Sequence, residues 1–228
     1  MASAIEILGK QAMKTFSDYW RGPKNLEKLL SLINKITAED VKLDKTVLDY
    51  VSRQPAPMCV IDIFENKDIT ITVFILKHGV KMPMHDHPGM HGVLKVISGM
   101  VELNSYSLKT KNHVIKPKEE IAAVRHRPVY LDSNSPACTF TPAEKNLHEI
   151  LSVEGPAAFL DILSPPYDVD KFGNGSRPCT YFKTVKSKLC SELADIIEEV
   201  QLSVTENFPD FYSSSLEYMG PSLKNYCD

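Results

Sequence analysis

The chain has 228 residues and a mass of 25.6 kDa, which fits one ordinary domain or one domain with helical extensions. Hydrophobic residues make up 43% and charged residues 24%, a balance typical of a globular protein and unlike that of a disordered one. The 26 basic and 29 acidic residues nearly cancel, so the charge predicts no nucleic-acid partner and no anionic membrane partner. The longest charge-free aliphatic stretch, residues 69–76, is far shorter than the ~20 residues of a membrane-spanning helix.

The cysteines and the N-terminus both indicate an intracellular protein. The five cysteines are scattered, odd in number and without a C-x-x-C pair, which favours a reducing compartment over a disulfide framework or a zinc ribbon. The N-terminus lacks the basic start and apolar core of a secretory signal. Its apolar residues Ile5, Leu8, Ala12 and Phe16 recur at helical spacing, which favours a packed helix over a targeting peptide. We therefore expect a cytoplasmic protein, and we expect a monomer.

Residues 1–45 are expected to form a helical extension that packs on the following domain. A second helix beginning near Pro23 would carry its apolar residues on one face: Leu26, Leu29, Leu30, Ile33 and Ile36. Residues 37–40 then resemble a capping box that opens a short third helix.

From about Pro55 the sequence changes to short β-prone segments separated by turn residues. Many short strands at close spacing, without helices between them, predict a sandwich or barrel rather than a parallel α/β sheet. We assign this mostly β domain to residues 46–186. A final helix is expected near residues 187–202, because five apolar residues form a stripe at helical spacing: Leu189, Leu193, Ile196, Ile197 and Val200. Residues 187–228 are assigned to this helix and to a tail of unknown role.

Histidines carry the strongest chemical signal, since three of the seven fall within seven positions at His85, His87 and His91. Residues i and i+2 of a strand face the same side, so His85 and His87 can present two imidazoles to one point. Neutral imidazole suits iron, zinc, copper and nickel, although an H-x-H pair alone can also be a polar strand pair. His91 lies beyond a Pro-Gly turn and is expected to neighbour the site rather than to bind metal. The remaining histidines outside the candidate ligands are expected to face solvent: His78, His113 and His126.

The flanks of this pair resemble a known motif. The spacing Gly79-x5-His85-x-His87-x4-Gly92-x6-Gly99 resembles the first metal motif of the cupin superfamily, with Gly92 in place of the usual glutamate. This resemblance implies a double-stranded β-helix barrel and a third histidine from a later strand.

His148 fits the position of that third histidine. Its neighbour Glu149 would point to the opposite face of the strand, so we do not count it as a ligand. Three imidazoles without a carboxylate would leave Fe(II) with its full positive charge, which an anionic substrate ligand would balance. A thiolate is a good candidate, because metal coordination lowers the pKa of a thiol.

Longer strings resemble the 2-aminoethanethiol (cysteamine) dioxygenase and plant cysteine oxidase family over roughly residues 1–185. The matching segments are residues 37–40, 85–92, 146–148, 153–163 and 165–168. The resemblance implies a cupin fold in which His85, His87 and His148 hold Fe(II). It also implies insertion of both atoms of O2 into a thiol, giving hypotaurine from cysteamine and a sulfinic acid from the N-terminal cysteine of proteins and peptides. Oxidation of such proteins would mark them for oxygen-dependent degradation.

Four further residues match positions of interest in that family. Asp161 and Tyr167 match residues near the active site, which implies hydrogen bonding toward the substrate amine or the reacting oxygen. Cys179 and Tyr181 match a pair that can become a thioether crosslink in animal enzymes. A plainer interpretation stays open beside each: a structural partner for the buried carboxylate of Asp161, simple packing of Tyr167, and ordinary strand residues at positions 179 and 181.

Two other classes of function stay open beside the thiol dioxygenase. One is a cupin dioxygenase acting on a carbon substrate, or a cupin isomerase; the absent glutamate and the matching downstream strings disfavour both. The other is a metal-binding cupin that serves as a regulatory or interaction protein without turnover. Within the leading hypothesis we expect both cysteamine and Cys-initiated peptides to react, the peptides at lower concentration.

Overall fold

The computed structural model describes residues 2–17, 23–110, 120–169, 176–193, 195–205, 208 and 210–223. Its N-terminal part contains three α-helices, Ala4–Phe16 (α1), Pro23–Ile33 (α2) and Lys45–Arg53 (α3), and a 3-10 helix at Glu39–Val41. None of the described helices has the length and hydropathy needed to cross a bilayer.

Helix α1 begins where the sequence supplies a full capping box. The Ser3 hydroxyl accepts a hydrogen bond from the backbone N–H of Glu6, and the Glu6 carboxylate accepts one from the backbone N–H of Ser3 at 2.6 Å. The buried face of the helix, with Ile5 and Leu8, packs with α2 residues and with strand residues such as Ile71 in one apolar cluster. This burial explains why a helix of 13 residues is stable here.

Most of the described chain after α3 is β-structure. The strands are Met58–Glu65 (β1), Thr70–Leu76 (β2), Lys81–His85 (β3), His91–Leu108 (β4), Glu120–His126 (β5), Val129–Asp132 (β6), Cys138–Phe140 (β7), Leu147–Ser164 (β8), Asp168–Val169 (β9), Ser176–Arg177 (β10), Tyr181–Leu193 (β11), Ile196–Thr205 (β12) and Ser213–Leu216 (β13). The mostly β prediction is confirmed.

Two long strands close the sheet into a barrel. Strands β4 and β8 have 18 residues each and pair with each other along most of their length, from His91↔Ser164 to Tyr106↔Leu147. From β8 the hydrogen-bonded path runs through β3, β11, β12 and β5 back to β4. Strands β1 and β2 extend the sheet beyond β8. The result is the double-stranded β-helix barrel expected from the cupin resemblance.

The two faces of the sheet have different partners. Apolar side chains such as Leu94, Val96 and Phe159 fill the inside of the barrel. Side chains that alternate with them, such as Val93, Ile97 and Leu160, face the N-terminal helices instead. This alternation follows from the period of two along each strand, and it directs every second residue of β8 toward the barrel interior.

The predicted C-terminal helix near residues 187–202 is wrong. Strand β11 ends at Leu193, and β12 pairs antiparallel both with β11 and with β5. Val200 and Leu202 are buried on one face of β12, whereas Leu189, which the helical stripe required to be buried, is 77% exposed. The β-branched residues of this segment fit a half-buried strand, and pairing with β5 favours the strand over the helical period.

Candidate metal centre

His85, His87 and His148 meet inside the barrel. His85 ends β3, His87 follows the strand, and His148 is the second residue of β8, directly opposite His85 in the ladder. One ring nitrogen from each histidine lies within 4.8 Å of the others, and all three residues are buried. The ring centroids are 4.5–4.8 Å apart. Such a group of three imidazoles has the spacing of a site for a single metal ion.

Backbone carbonyls orient two of these rings. Nδ1 of His85 lies 2.9 Å from the carbonyl oxygen of Pro83, and Nδ1 of His87 lies 2.7 Å from that of Asn146. A carbonyl can only accept, so each Nδ1 carries the proton, and the lone pair is on Nε2. This arrangement of an acceptor behind each imidazole is typical of histidines that bind metal.

Asn146 links the two histidine-bearing segments. Its Oδ1 accepts from the backbone N–H of His87 at 3.1 Å, and its Nδ2 donates to the His87 carbonyl oxygen at 2.8 Å. Nδ2 also donates to the carbonyl of Thr141 at 3.0 Å. Because Asn146 lies two residues before His148, these bonds fix the loop carrying His87 against the start of β8.

Burial keeps the three imidazoles neutral. It lowers the pKa of His85 to about 4. Burial, and after it repulsion from neighbouring imidazoles, lowers the pKa values of His87 and His148 well below their ordinary value. Neutral imidazole is the form that binds metal, so the site needs to lose no proton at neutral pH.

An aromatic ring fills the position of the carboxylate that the cupin motif would supply. A Cβ built on Gly92 would lie 1.9 Å from Cζ of Phe140. The Phe140 ring also packs 4.3 Å from the His87 ring and 5.2 Å from the His148 ring, measured between centroids. The three-histidine centre therefore has an apolar wall on the side of Gly92.

A cavity of about 220 Å³ adjoins the histidines and is lined by all seven residues singled out from the sequence. They are His85, His87, His148, Asp161, Tyr167, Cys179 and Tyr181. Apolar side chains such as Met82 and Phe159 complete the walls. The cavity is suited to a small ligand or to the end residue of a longer one.

Asp161 lies on the inner face of β8 and is 5% exposed. Its Oδ1 has no hydrogen-bond partner among the described residues, and burial raises the pKa of its carboxyl to about 7. A buried, incompletely paired carboxyl is costly for the fold, which makes it a candidate for ligand binding.

Asp86 connects the cluster to the segment carrying Cys179 and Tyr181. Its Oδ1 accepts from the backbone N–H of Thr180 at 2.8 Å, and its carbonyl accepts from the hydroxyl of Tyr167. The Cys179 thiol forms hydrogen bonds with the hydroxyls of Tyr167 and Tyr181, and burial raises the pKa of this thiol to about 12. The side chains of Tyr167, Cys179 and Tyr181 therefore form one hydrogen-bonded polar group at the edge of the cavity.

Comparison with known proteins identifies the family. Residues 32–223 match the PCO_ADO family. The chain belongs to the PCO_ADO family. The 2-aminoethanethiol dioxygenase of Homo sapiens is 34% identical, with 98% of this chain and 97% of that protein covered. Plant cysteine oxidase 1 of Arabidopsis thaliana is 24% identical over 75% of this chain and 59% of its own. A solved double-stranded β-helix protein of Klebsiella pneumoniae is similar over 46% of this chain and 73% of its own, at 20% identity and a TM-score of 0.31.

The family expected from the sequence is thus confirmed, but the histidines outside the PCO_ADO site follow the predictions only in part. His91 lies outside the three-histidine cluster, half-buried, with its ring 6.5 Å from that of Phe16. His78 is exposed as expected, whereas His113 lies outside the described residues. The prediction that His126 faces solvent is wrong, because His126 is a buried residue of β5.

Sequence reasoning missed the supporting residues of this PCO_ADO member. Asn146, Asp86 and Phe140 all contact the site, yet none had been assigned a role. Asn146 and Asp86 lie within two positions of a histidine, so an amide and a carboxylate beside candidate ligands were an available signal. Phe140 gives no such signal, because only the pairing of β7 with β4 brings it to Gly92.

Proposed function

We propose that the protein is a non-haem iron thiol dioxygenase. It adds both atoms of O2 to the thiol of cysteamine, giving hypotaurine, and to the N-terminal cysteine of peptides and proteins, giving cysteine sulfinic acid. The observation that carries the proposal is the single cavity in which three neutral imidazoles face Asp161, Tyr167 and Cys179. Membership of the PCO_ADO family supports the same class of reaction.

The residues of the cluster fit Fe(II). We assign Nε2 of His85, Nε2 of His87 and a ring nitrogen of His148 as its ligands, because all are buried and neutral, and imidazole suits iron. Fe(II) held by these three neutral residues would keep its full positive charge, and that charge would favour the thiolate form of the substrate.

Asp161 is suited to hold the substrate amine. Cysteamine and an N-terminal cysteine share an ammonium group two carbons from the thiol. The unpaired Oδ1 of Asp161 lines the same cavity as the histidines, so it can accept a hydrogen bond from that ammonium while the thiol faces the cluster. The bound ammonium would in turn satisfy a carboxyl that has no other partner for Oδ1 among the described residues.

Tyr167 and the apolar walls are suited to position the thiol and to exclude water. The Tyr167 hydroxyl is held by the Asp86 carbonyl and bonded to Cys179, which fixes its ring beside that of His87 at 5.5 Å between centroids. Apolar side chains such as Met82 and Phe159 line the cavity and disfavour water beside the reacting groups. The overall reaction, R–SH + O2 → R–SO2H, is balanced without an external reductant.

We further propose that the protein acts as a monomer in the reducing cytoplasm, where oxidation of N-terminal cysteines makes their carriers oxygen-dependent targets for degradation. Free thiols at Cys59, Cys138, Cys179 and Cys190 are consistent with such a compartment.

Oxygen consumption by the Fe(II)-loaded protein tests the proposal. We expect consumption with cysteamine and with a Cys-initiated peptide, and none with the same peptide carrying Ser in place of Cys. His148→Ala should abolish the activity and the iron binding together. Consumption driven only by a carbon acid, or no consumption by protein that retains iron, would refute the proposal in favour of a different cupin reaction or a protein without turnover.

A further inference from the structure

A row of polar residues crosses the sheet beside the metal centre. Asp62 of β1 is opposite Thr72 of β2, and Thr72 is opposite Asp161 of β8. Directly opposite residues of adjacent strands share a face, so these three side chains lie side by side. The Thr72 hydroxyl donates to Oδ1 of Asp62 at 3.3 Å. The row thus runs from the buried carboxyl of Asp161 to the exposed carboxyl of Asp62.

A second cavity follows this row. It has a volume of about 160 Å³, and its lining includes Asp62, Glu65, Thr72 and Asp161 beside apolar residues such as Phe74. It shares Asp161 and Tyr167 with the cavity at the histidines, so the two spaces adjoin at these residues. None of the described residues that line it is basic, while three are acidic.

The carboxyl group at the buried end of this cavity is able to bind a cation. Asp161 is 5% exposed, and its Oδ1 is without a hydrogen-bond partner in the described chain. The exposed end lies at Asp62, one residue beyond the last residue of β1 that pairs with β13. An acidic channel with a buried carboxyl at one end and an exposed one at the other favours a ligand with two positive charges.

We propose that this acidic row makes the protein select peptides with a lysine or arginine directly after the N-terminal cysteine. The inference rests on the proposed thiol dioxygenase function and names its preferred substrates. The α-ammonium of the cysteine binds the carboxylate of Asp161. The side chain of the second residue then extends along Thr72 to Asp62. Residues in an extended peptide are spaced ~3.3–3.6 Å apart, so the second residue is the nearest one to the cysteine whose side chain can follow this row.

Asp62 acts in this scheme as a specificity residue. Its carboxylate pairs with the positively charged group of the lysine or arginine side chain close to solvent. We therefore expect it to contribute to peptide binding about as much as a partly screened ion pair does. That corresponds to a preference of about fivefold for Lys over Gln at the second position. A glutamate there would be repelled and should react more slowly than glutamine. High salt should reduce the preference because the contact is close to solvent.

Three peptides that differ only at the second position test the inference: Cys-Lys, Cys-Gln and Cys-Glu followed by one common sequence. We expect kcat/KM to fall in that order in the parent protein. Asp62→Asn should reduce the Lys/Gln ratio to about one, by the loss of that ion pair. Asp49→Asn is the matched control, because Asp49 is an exposed carboxylate of α3 that lines neither cavity, and its removal changes the net charge equally. It should leave the Lys/Gln ratio as in the parent.

An anaerobic binding titration of the same peptides gives a second measurement that does not depend on turnover. The Cys-Lys peptide should bind about fivefold more tightly than Cys-Gln in the parent and equally in Asp62→Asn. Equal kcat/KM for all three peptides, with cysteamine and peptides both oxidised, would overturn the inference and leave the proposed function standing. If no thiol is oxidised, the proposed function fails, and the titration alone then decides the cation preference. A Lys preference that survives in Asp62→Asn would also overturn the inference.

Discussion

The ring of Phe140 lies where a side chain at position 92 would have to be, with Cζ 1.9 Å from the Cβ that Gly92 lacks. The pairing Gly92↔Phe140 between β4 and β7 therefore leaves no room for a carboxylate side chain at position 92. Phe140 in turn packs on His87. The glycine thus has two effects: it removes a negative ligand, and it admits the ring that walls the site.

Substitution Gly92→Ala should destabilise the protein by about 1–3 kcal/mol, because the new methyl group overlaps the Phe140 ring. The free energy of unfolding in urea measures this cost. In the background Phe140→Leu the cost should be smaller, since the shorter side chain leaves room for the methyl group. Equal costs in the two backgrounds would contradict the proposed contact.

Removing the Asn146 amide should weaken metal binding without removing a ligand. Asn146→Ala loses the bonds to the backbone of His87, so the imidazole is no longer fixed, and Fe(II) affinity should fall about 10–100-fold. Competition with a coloured chelator measures the affinity. Asn134→Ala, at an exposed turn, is the matched control and should bind iron as the parent does. Unchanged affinity in Asn146→Ala would refute the role of the amide.

The site was more predictable from the sequence than its surroundings were. The H-x-H spacing identifies His85 and His87, and the family resemblance supplies His148; the strand period does not place His87, because β3 ends at His85. Asn146 and Asp86 lie beside candidate ligands, which is a local signal, but the groups to which they bond lie in segments distant in sequence. Phe140 needed the structure, because only the pairing of β7 with β4 brings it to Gly92.

The hairpin formed by β11 and β12 shows a second reason why the sequence did not predict the structure. The segment of β12 carries an apolar pattern compatible with a period of 3.6 and also with a period of two. Ladder bonds to β5 and burial of Val200 and Leu202 select the strand. His126 was expected to face solvent, but it lies in β5 opposite Ile196 of β12, where it is buried.

Cys179 and Tyr181 should become crosslinked during aerobic incubation with iron. Their hydrogen bond holds the thiol beside the phenol, so a sulfur–carbon bond next to the hydroxyl requires little movement. One S–H and one C–H bond are lost, with O2 taking up both hydrogen atoms. Intact mass should therefore fall by two hydrogen atoms, and Cys179→Ser or Tyr181→Phe should prevent the loss. Cys190→Ser is the control and should retain it; an unchanged parent mass would refute the crosslink.

His126 should make the fold sensitive to mild acid. Burial, and after it Lys145, lowers its pKa in the folded protein, while Asp195 and Glu144 oppose the shift; its ring also bonds the hydroxyl of Ser107 at 2.7 Å. Because the folded pKa lies below the unfolded value near 6.5, the unfolded chain takes up the proton first, and stability falls as the pH drops through that value.

The variant His126→Gln removes this titration. We expect its free energy of unfolding to change less than that of the parent between neutral pH and pH ~5.5, because the remaining groups are common to both proteins. Urea titrations of both proteins at the two pH values provide the comparison. Parallel losses of stability would contradict a lowered pKa at His126.

The most direct test of the central claim is mass spectrometry of cysteamine and of a Cys-initiated peptide after reaction with ¹⁸O2 in the presence of the Fe(II)-loaded protein. We expect one product from each thiol, a sulfinic acid carrying two ¹⁸O atoms, and no product with His148→Ala. Incorporation of a single ¹⁸O atom, formation of disulfide alone, or unchanged thiol from protein that retains its iron would contradict it.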